Sequence, residues 1–136
     1  MRVFLDANVL FSAAKSDGAV RALLTRCLRA GHTLVADGYV VAEARHNLLS
    51  RGPAAITALE TVLSPVEVAP YRPSALPQDR AARVPEKDRP VIAAALRLRC
   101  DALVTGDRTH FGELHGTVQH GIAVHSPRSL ADALKG

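Results

Sequence analysis

The chemistry this chain can be read for resides in four acids. Asp6 follows directly on the apolar run Val3-Phe4-Leu5, and Asp107 follows Ala102-Leu103-Val104-Thr105-Gly106. Each therefore stands at the carboxyl end of an expected buried strand, where open α/β sheets bind ligands if strand order reverses there. Either acid alone reads equally well as the start of a turn. Asn8 lies two residues beyond Asp6, and Thr105 two residues before Asp107. Asp88 opens a helical stretch; at about 100° per residue it falls in the middle of the stripe formed by Val91, Ile92, Ala95 and Leu96. A solvated surface acid belongs on the opposite side, although Asp88 also suits the N-cap of that helix. Glu43 sits at the rim of the stripe of Val40, Val41, Ala44 and Leu48, with Asn47 beside it.

If these four carboxylates gather to about 5 Å, each like-charged pair repels by about 3 kcal/mol at an effective dielectric of 20. Such a cluster persists only with raised pKa values or a bound cation. Oxygen-only sites that retain waters suit Mg²⁺ or Mn²⁺. A metal so held activates water and neutralises charge during attack on a phosphodiester. Arg45, Arg89 and Arg108, each within two residues of one of these acids, are candidate phosphate contacts, and His110 follows Asp107 by three. Their alternative is an ordinary solvated or salt-bridged surface role. His110, His115, His120 and His125 are spaced by five; that spacing puts no pair reliably on one face, which argues against a zinc site. No G-x-x-x-x-G-K segment is present, which excludes a P-loop.

The elements that must position these residues alternate between strand and helix patterns. Strands are expected at Val3–Leu5, His32–Ala36, Val66–Val68, Ala102–Thr105 and Ile122–Val124. Helices are expected around Val20–Leu28 (closed by Gly31), Tyr39–Ser50, Ala54–Leu63, Arg89–Arg99 and from Ser126-Pro127 to Leu134. Pro70 to Pro85 reads as a loop with one helical turn near Gln78–Ala82. Strands separated by helices imply a parallel sheet covered on both faces, a three-layer α/β fold.

Length and composition agree. At 136 residues and 48% hydrophobic content the chain fits one domain with a core of its own. Seventeen Lys and Arg, fourteen of them Arg, against thirteen Asp and Glu give a net charge of +4, which mildly favours a polyanionic partner. Aromatic residues are 4% with no Trp, which argues against recognition by base stacking. Cys27 and Cys100 lie within apolar periodic stretches and read as small core residues in a reducing compartment. With no apolar run of about 20 residues and no signal-peptide pattern at the start, the expected location is cytoplasmic.

At these residues the chain resembles the PIN-domain family, in particular the small VapC-like toxins of type II toxin–antitoxin pairs. The resemblance is carried by Phe4-Leu5-Asp6-Ala7-Asn8-Val9-Leu10, Ala42-Glu43-Ala44, Asp88-Arg89-Pro90-Val91-Ile92-Ala93-Ala94-Ala95 and Leu103-Val104-Thr105-Gly106-Asp107. It implies an α/β/α sandwich with a five-stranded parallel sheet in the order 3-2-1-4-5, which sets strands one and four side by side. It also implies a Mg²⁺- or Mn²⁺-dependent ribonuclease with Asp6, Glu43, Asp88 and Asp107 as its metal site and Asn8 and Thr105 in support. A small antitoxin and a homodimer are the implied partners. A PIN-fold protein that binds RNA or a partner without cutting is the alternative. Two other readings fit less well. A haloacid-dehalogenase-like phosphatase needs an acid where Asn8 stands, and a receiver domain needs an acid pair after strand one.

Overall fold

The computed structural model describes residues 1–73, 88–106, 118–119 and 121–135. The chain opens on β1 (Arg2–Leu5), which turns without a loop into α1 (Ala7–Lys15), followed by α2 (Ala19–Arg29) and β2 (Thr33–Asp37). Then come α3 (Gly38–Arg51), a 3₁₀ turn at Pro53–Ala55, α4 (Ile56–Leu63) and β3 (Glu67–Ala69). The remaining elements are α5 (Arg89–Arg97), β4 (Ala102–Val104), β5 (Val118–Gln119), β6 (Ile122–His125) and α6 (Pro127–Lys135). The expected turn of helix near 78–82 and most of the Pro-rich stretch lie outside the described residues.

The sheet runs β3-β2-β1-β4-β6-β5. Its five parallel strands take the order the resemblance implies, and the two-residue β5 adds an antiparallel edge against β6. β1 is central: Phe4 is in register with Val35 on one side and Leu103 on the other. Val3, Phe4 and Leu5 are fully buried, as a continuous apolar run in a sheet covered on both faces requires. Strand order reverses between β1 and β4. Right-handed crossovers therefore put α1–α4 on one face and α5 on the other.

One helix has no counterpart in the expectations above. α1 begins directly after β1, with no loop between them. Asp6, the one residue between them, is its N-cap, accepting from the Ala7 amide, which is the turn-forming role. Ala7, Val9, Leu10, Ala13 and Ala14 are buried, and α1 packs against α2, α3 and α4. At the other end of the chain, Ser126 and Ser129 cap α6 reciprocally through their hydroxyls and amides.

Two helices end in Schellman motifs. After α2, the Gly31 amide bonds Leu28 O and the His32 amide bonds Cys27 O, with Gly31 at φ 87°. After α5, the Arg99 amide bonds Leu96 O and the Cys100 amide bonds Ala95 O, so this helix stops two residues short of the Arg99 its apolar period suggests. Here the left-handed position is held by Arg99 at φ 57°, where a side chain costs energy that glycine avoids. Arg99→Gly is expected to raise stability by about 0.5–1 kcal/mol, seen as a higher urea midpoint at unchanged slope.

Candidate active site

The carboxyl ends of the parallel strands β1, β2 and β4 lie at one edge of the sheet, and Asp6, Asn8 and Thr105 stand there. Asp6 is buried at the end of β1. Its Oδ1 accepts from the Ala7 amide at 2.7 Å and its Oδ2 from the Thr105 hydroxyl at 2.8 Å. Thr105, fully buried just beyond β4, accepts in turn from Asn8 Nδ2 at 3.2 Å. Asn8 Oδ1 accepts from the Gly106 amide at 2.8 Å. The network ties β1 to β4 across the point where strand order reverses and fixes both oxygens of Asp6. Asn8 and Thr105 are both part of the network that holds Asp6.

Asp88 is buried at the start of α5. That helix leads into β4, which is parallel to β1, so its N-terminus lies at the same edge as Asp6. The side chain of Asp88 makes no capping hydrogen bond to α5, which distinguishes it from an ordinary N-cap. Glu43, in the second turn of α3, is exposed. Its charge and that of Asp6 both act on the Tyr39 phenol; burial, then Glu43, Tyr71, Asp6 and Asp37, push that phenol above its ordinary pKa. Glu43 and Tyr39 line the same cavity.

Of the candidate phosphate contacts, Arg45 is engaged elsewhere: its Nη2 lies 2.7 Å from Glu60 Oε1 on α4. Arg89 is half-buried beside Asp88. Asp107, Arg108 and His110 lie outside the described residues. Among the described residues no group of three or more Asp, Glu, His or Cys side chains is arranged to hold a metal ion. In kind, the acids present suit a hard divalent cation, because every donor is a carboxylate oxygen.

Three residues at this edge escape the sequence reading. Asp37, at the end of β2, is almost fully buried and caps α3 by accepting from the Val40 amide at 3.1 Å. Its Oδ2 lies 3.9 Å from Arg97 Nη2, and that guanidinium also donates to Pro70 O at 3.2 Å. Burial pushes the Asp37 carboxyl above the ordinary range, opposed by the Val40 amide and by Arg97. Tyr39 and Tyr71 face each other nearby, with ring centroids 5.6 Å apart. In sequence, Val-Ala-Asp-Gly reads as a plain strand end, and isolated tyrosines carry no spacing signal.

The cysteines behave as expected: both are free and buried, and burial raises the Cys100 thiol to about 11, an unreactive thiol at neutral pH. No described helix is long and apolar enough to cross a membrane.

The sequence matches the family described as PIN domain over residues 2–109. The chain belongs to the PIN-domain family. Comparison with curated proteins finds no significant match. Solved structures with the same fold include VapBC2 from Rickettsia felis bound to a DNA fragment from their promoter, at 16% identity and TM-score 0.68, covering 93% of this chain and 98% of the other. PAE2754 from Pyrobaculum aerophilum aligns at 19% identity and TM-score 0.61, over 99% and 96% of the two chains. VapC20 from Mycobacterium tuberculosis, described as a sarcin-ricin loop cleaving toxin, aligns at 14% identity and TM-score 0.56, over 86% and 97%. At these identities the likeness is one of fold: this PIN domain has the VapC architecture.

Proposed function

We propose that this PIN domain is a divalent-metal-dependent ribonuclease and the toxin of a toxin–antitoxin pair, active as a homodimer and restrained by a small antitoxin protein. The observation that carries the reading is the network on Asp6, a buried carboxylate whose two oxygens are both oriented by hydrogen bonds at the reversal of strand order. A carboxylate so fixed is preorganised to ligate, and loss of its supporting partners would cost about 10- to 100-fold in metal affinity or activity. Asp6, Glu43, Asp88 and Asp107 would hold Mg²⁺ or Mn²⁺. Bound there, the cation would make water nucleophilic near neutral pH and offset charge on the phosphate. Asp6 and Asp88 lie at the sheet edge, Thr105 and Asn8 hold Asp6 in place, and Arg89 and Arg108, each next in sequence to one of the acids, would meet flanking phosphates.

Water adds to phosphorus and the 3′-oxygen leaves, so products carry a 5′-phosphate and a 3′-hydroxyl. Among the solved relatives, the sarcin-ricin loop cleaving toxin supports RNA as substrate, and the Rickettsia felis complex supports an antitoxin partner. The test is cleavage of single-stranded RNA with Mg²⁺, with EDTA, and after Mg²⁺ is restored. Activity is expected only in the first and third, with ends of the stated chemistry. Cleavage that persists in EDTA overturns the metal mechanism, and RNA binding without cleavage in Mg²⁺ makes the chain a binding module.

A further inference from the structure

We propose that Tyr39 and Tyr71 form a stacking platform for an unpaired RNA base beside the scissile phosphate, so that this base helps select which RNAs are cut. The proposal rests on the ribonuclease reading and assigns it a specificity subsite. These are the only two tyrosines of the chain, and their rings lie 5.6 Å apart and tilted by 36°. They share an open cavity of about 520 Å³ with Gly38, Ala42, Glu43 and His46. Tyr39, Ala42, Glu43 and His46 recur at i, i+3, i+4 and i+7 and so line one face of α3.

Tyr71 is fixed at its backbone and uncovered at its ring. A Cβ on Gly38 would lie 3.2 Å from the Tyr71 nitrogen, so the bare backbone of Gly38 lets residue 71 sit close against the start of α3. Pro70, the residue before it, is tied to Arg97. Yet Tyr71 remains 47% exposed. An aromatic side chain held in place without being buried contributes little to folding, but it loses little freedom when a flat ligand settles on it. The residues that line the cavity include no Lys or Arg to hold a phosphate; the neutral base is the part of a nucleotide suited to lie against the two rings. Every base offers a π-face to such a platform.

Because the chain has no Trp, Tyr71→Trp introduces a single indole reporter. In Ca²⁺ buffer, a short single-stranded RNA is expected to quench that indole, and the same sequence as a duplex is not. Tyr71→Ala should weaken single-stranded RNA binding by about five- to a hundredfold, and Tyr71→Phe should bind like the unaltered protein, since the hydroxyl is not needed. In Mg²⁺, Tyr71→Ala should raise KM more than it lowers kcat. Equal binding by Tyr71→Ala and the unaltered protein, or equal quenching by duplex, overturns the platform while leaving the nuclease reading standing. Stacking with no cleavage in Mg²⁺ does the reverse. An indole that responds to a co-purified protein and not to RNA makes this a protein-docking face and also overturns the proposal.

Discussion

Asp6→Asn should reduce RNA cleavage by more than the about 10- to 100-fold that loss of an outer hydrogen-bond partner costs, while changing stability by no more than about 1 kcal/mol. The substitution removes a charge and keeps the shape. The amide oxygen can still accept from the Ala7 amide, and the amide NH₂ can donate to the Thr105 hydroxyl oxygen, reversing the present direction of that bond. Relief of repulsion from Glu43 and Asp88 offsets part of whatever is lost. Cleavage rates in Mg²⁺ and urea midpoints in EDTA, taken on the same preparation, check both halves. Retained activity rules out Asp6 as a ligand. Lost activity with several kcal/mol of lost stability makes it a structural acid.

Arg97→Met has the largest expected effect on stability, about 1–3 kcal/mol at neutral pH. It strands the Asp37 carboxylate, which is 1% exposed, without the Arg97 guanidinium that offsets its burial. The contact is loose at 3.9 Å and the Arg97 side chain is 24% exposed, which keeps the cost below that of a tightly paired buried bridge. The sign with pH follows from the raised pKa of Asp37. A carboxyl whose folded pKa lies above its unfolded value favours folding when protonated. That contribution is fully present below the unfolded value and disappears as pH rises through the folded one. The defect of Arg97→Met should therefore shrink on acidification. Adding Asp37→Asn, which keeps an N-cap acceptor for the Val40 amide, should recover most of the loss at neutral pH. Urea melts of the single and double variants on either side of the carboxylate range read out the coupling.

What sequence made legible follows from where the signal is local. The all-apolar β1, the stripe of α2 with Gly31 after it, and Asp88 on the wrong side of its helix for a solvated acid each declare themselves within a dozen residues. α1 does not, because its start signal, Asp6, is also the strand's end, so the usual turn composition is missing. β5 is two residues long, too short to show alternation. α5 ends before its apolar period does, and the end is unmarked in sequence because Arg99 occupies a position where glycine is the usual marker. Aromatic content is silent for a different reason: a low total says nothing about placement, and both tyrosines meet beside Glu43. Asp37 and Arg97 lie 60 positions apart, and only the tertiary fold makes them neighbours. That β1 lies beside β4 follows from the strand order the resemblance implies, and only the tertiary fold shows Asp6 bonded to Thr105 across 99 positions.

The direct passage from β1 into α1 has a consequence for how this edge tolerates change. One residue inserted between Leu5 and Ala7 would turn the helix by about 100° and carry Val9, Leu10 and Ala13 out of the interior. The acid and the helix behind it are thus geared together. Any lengthening of the chain at this junction would dismantle the interior before it could relocate the carboxylate, so variation in loop length has to be accommodated at other corners of the sheet.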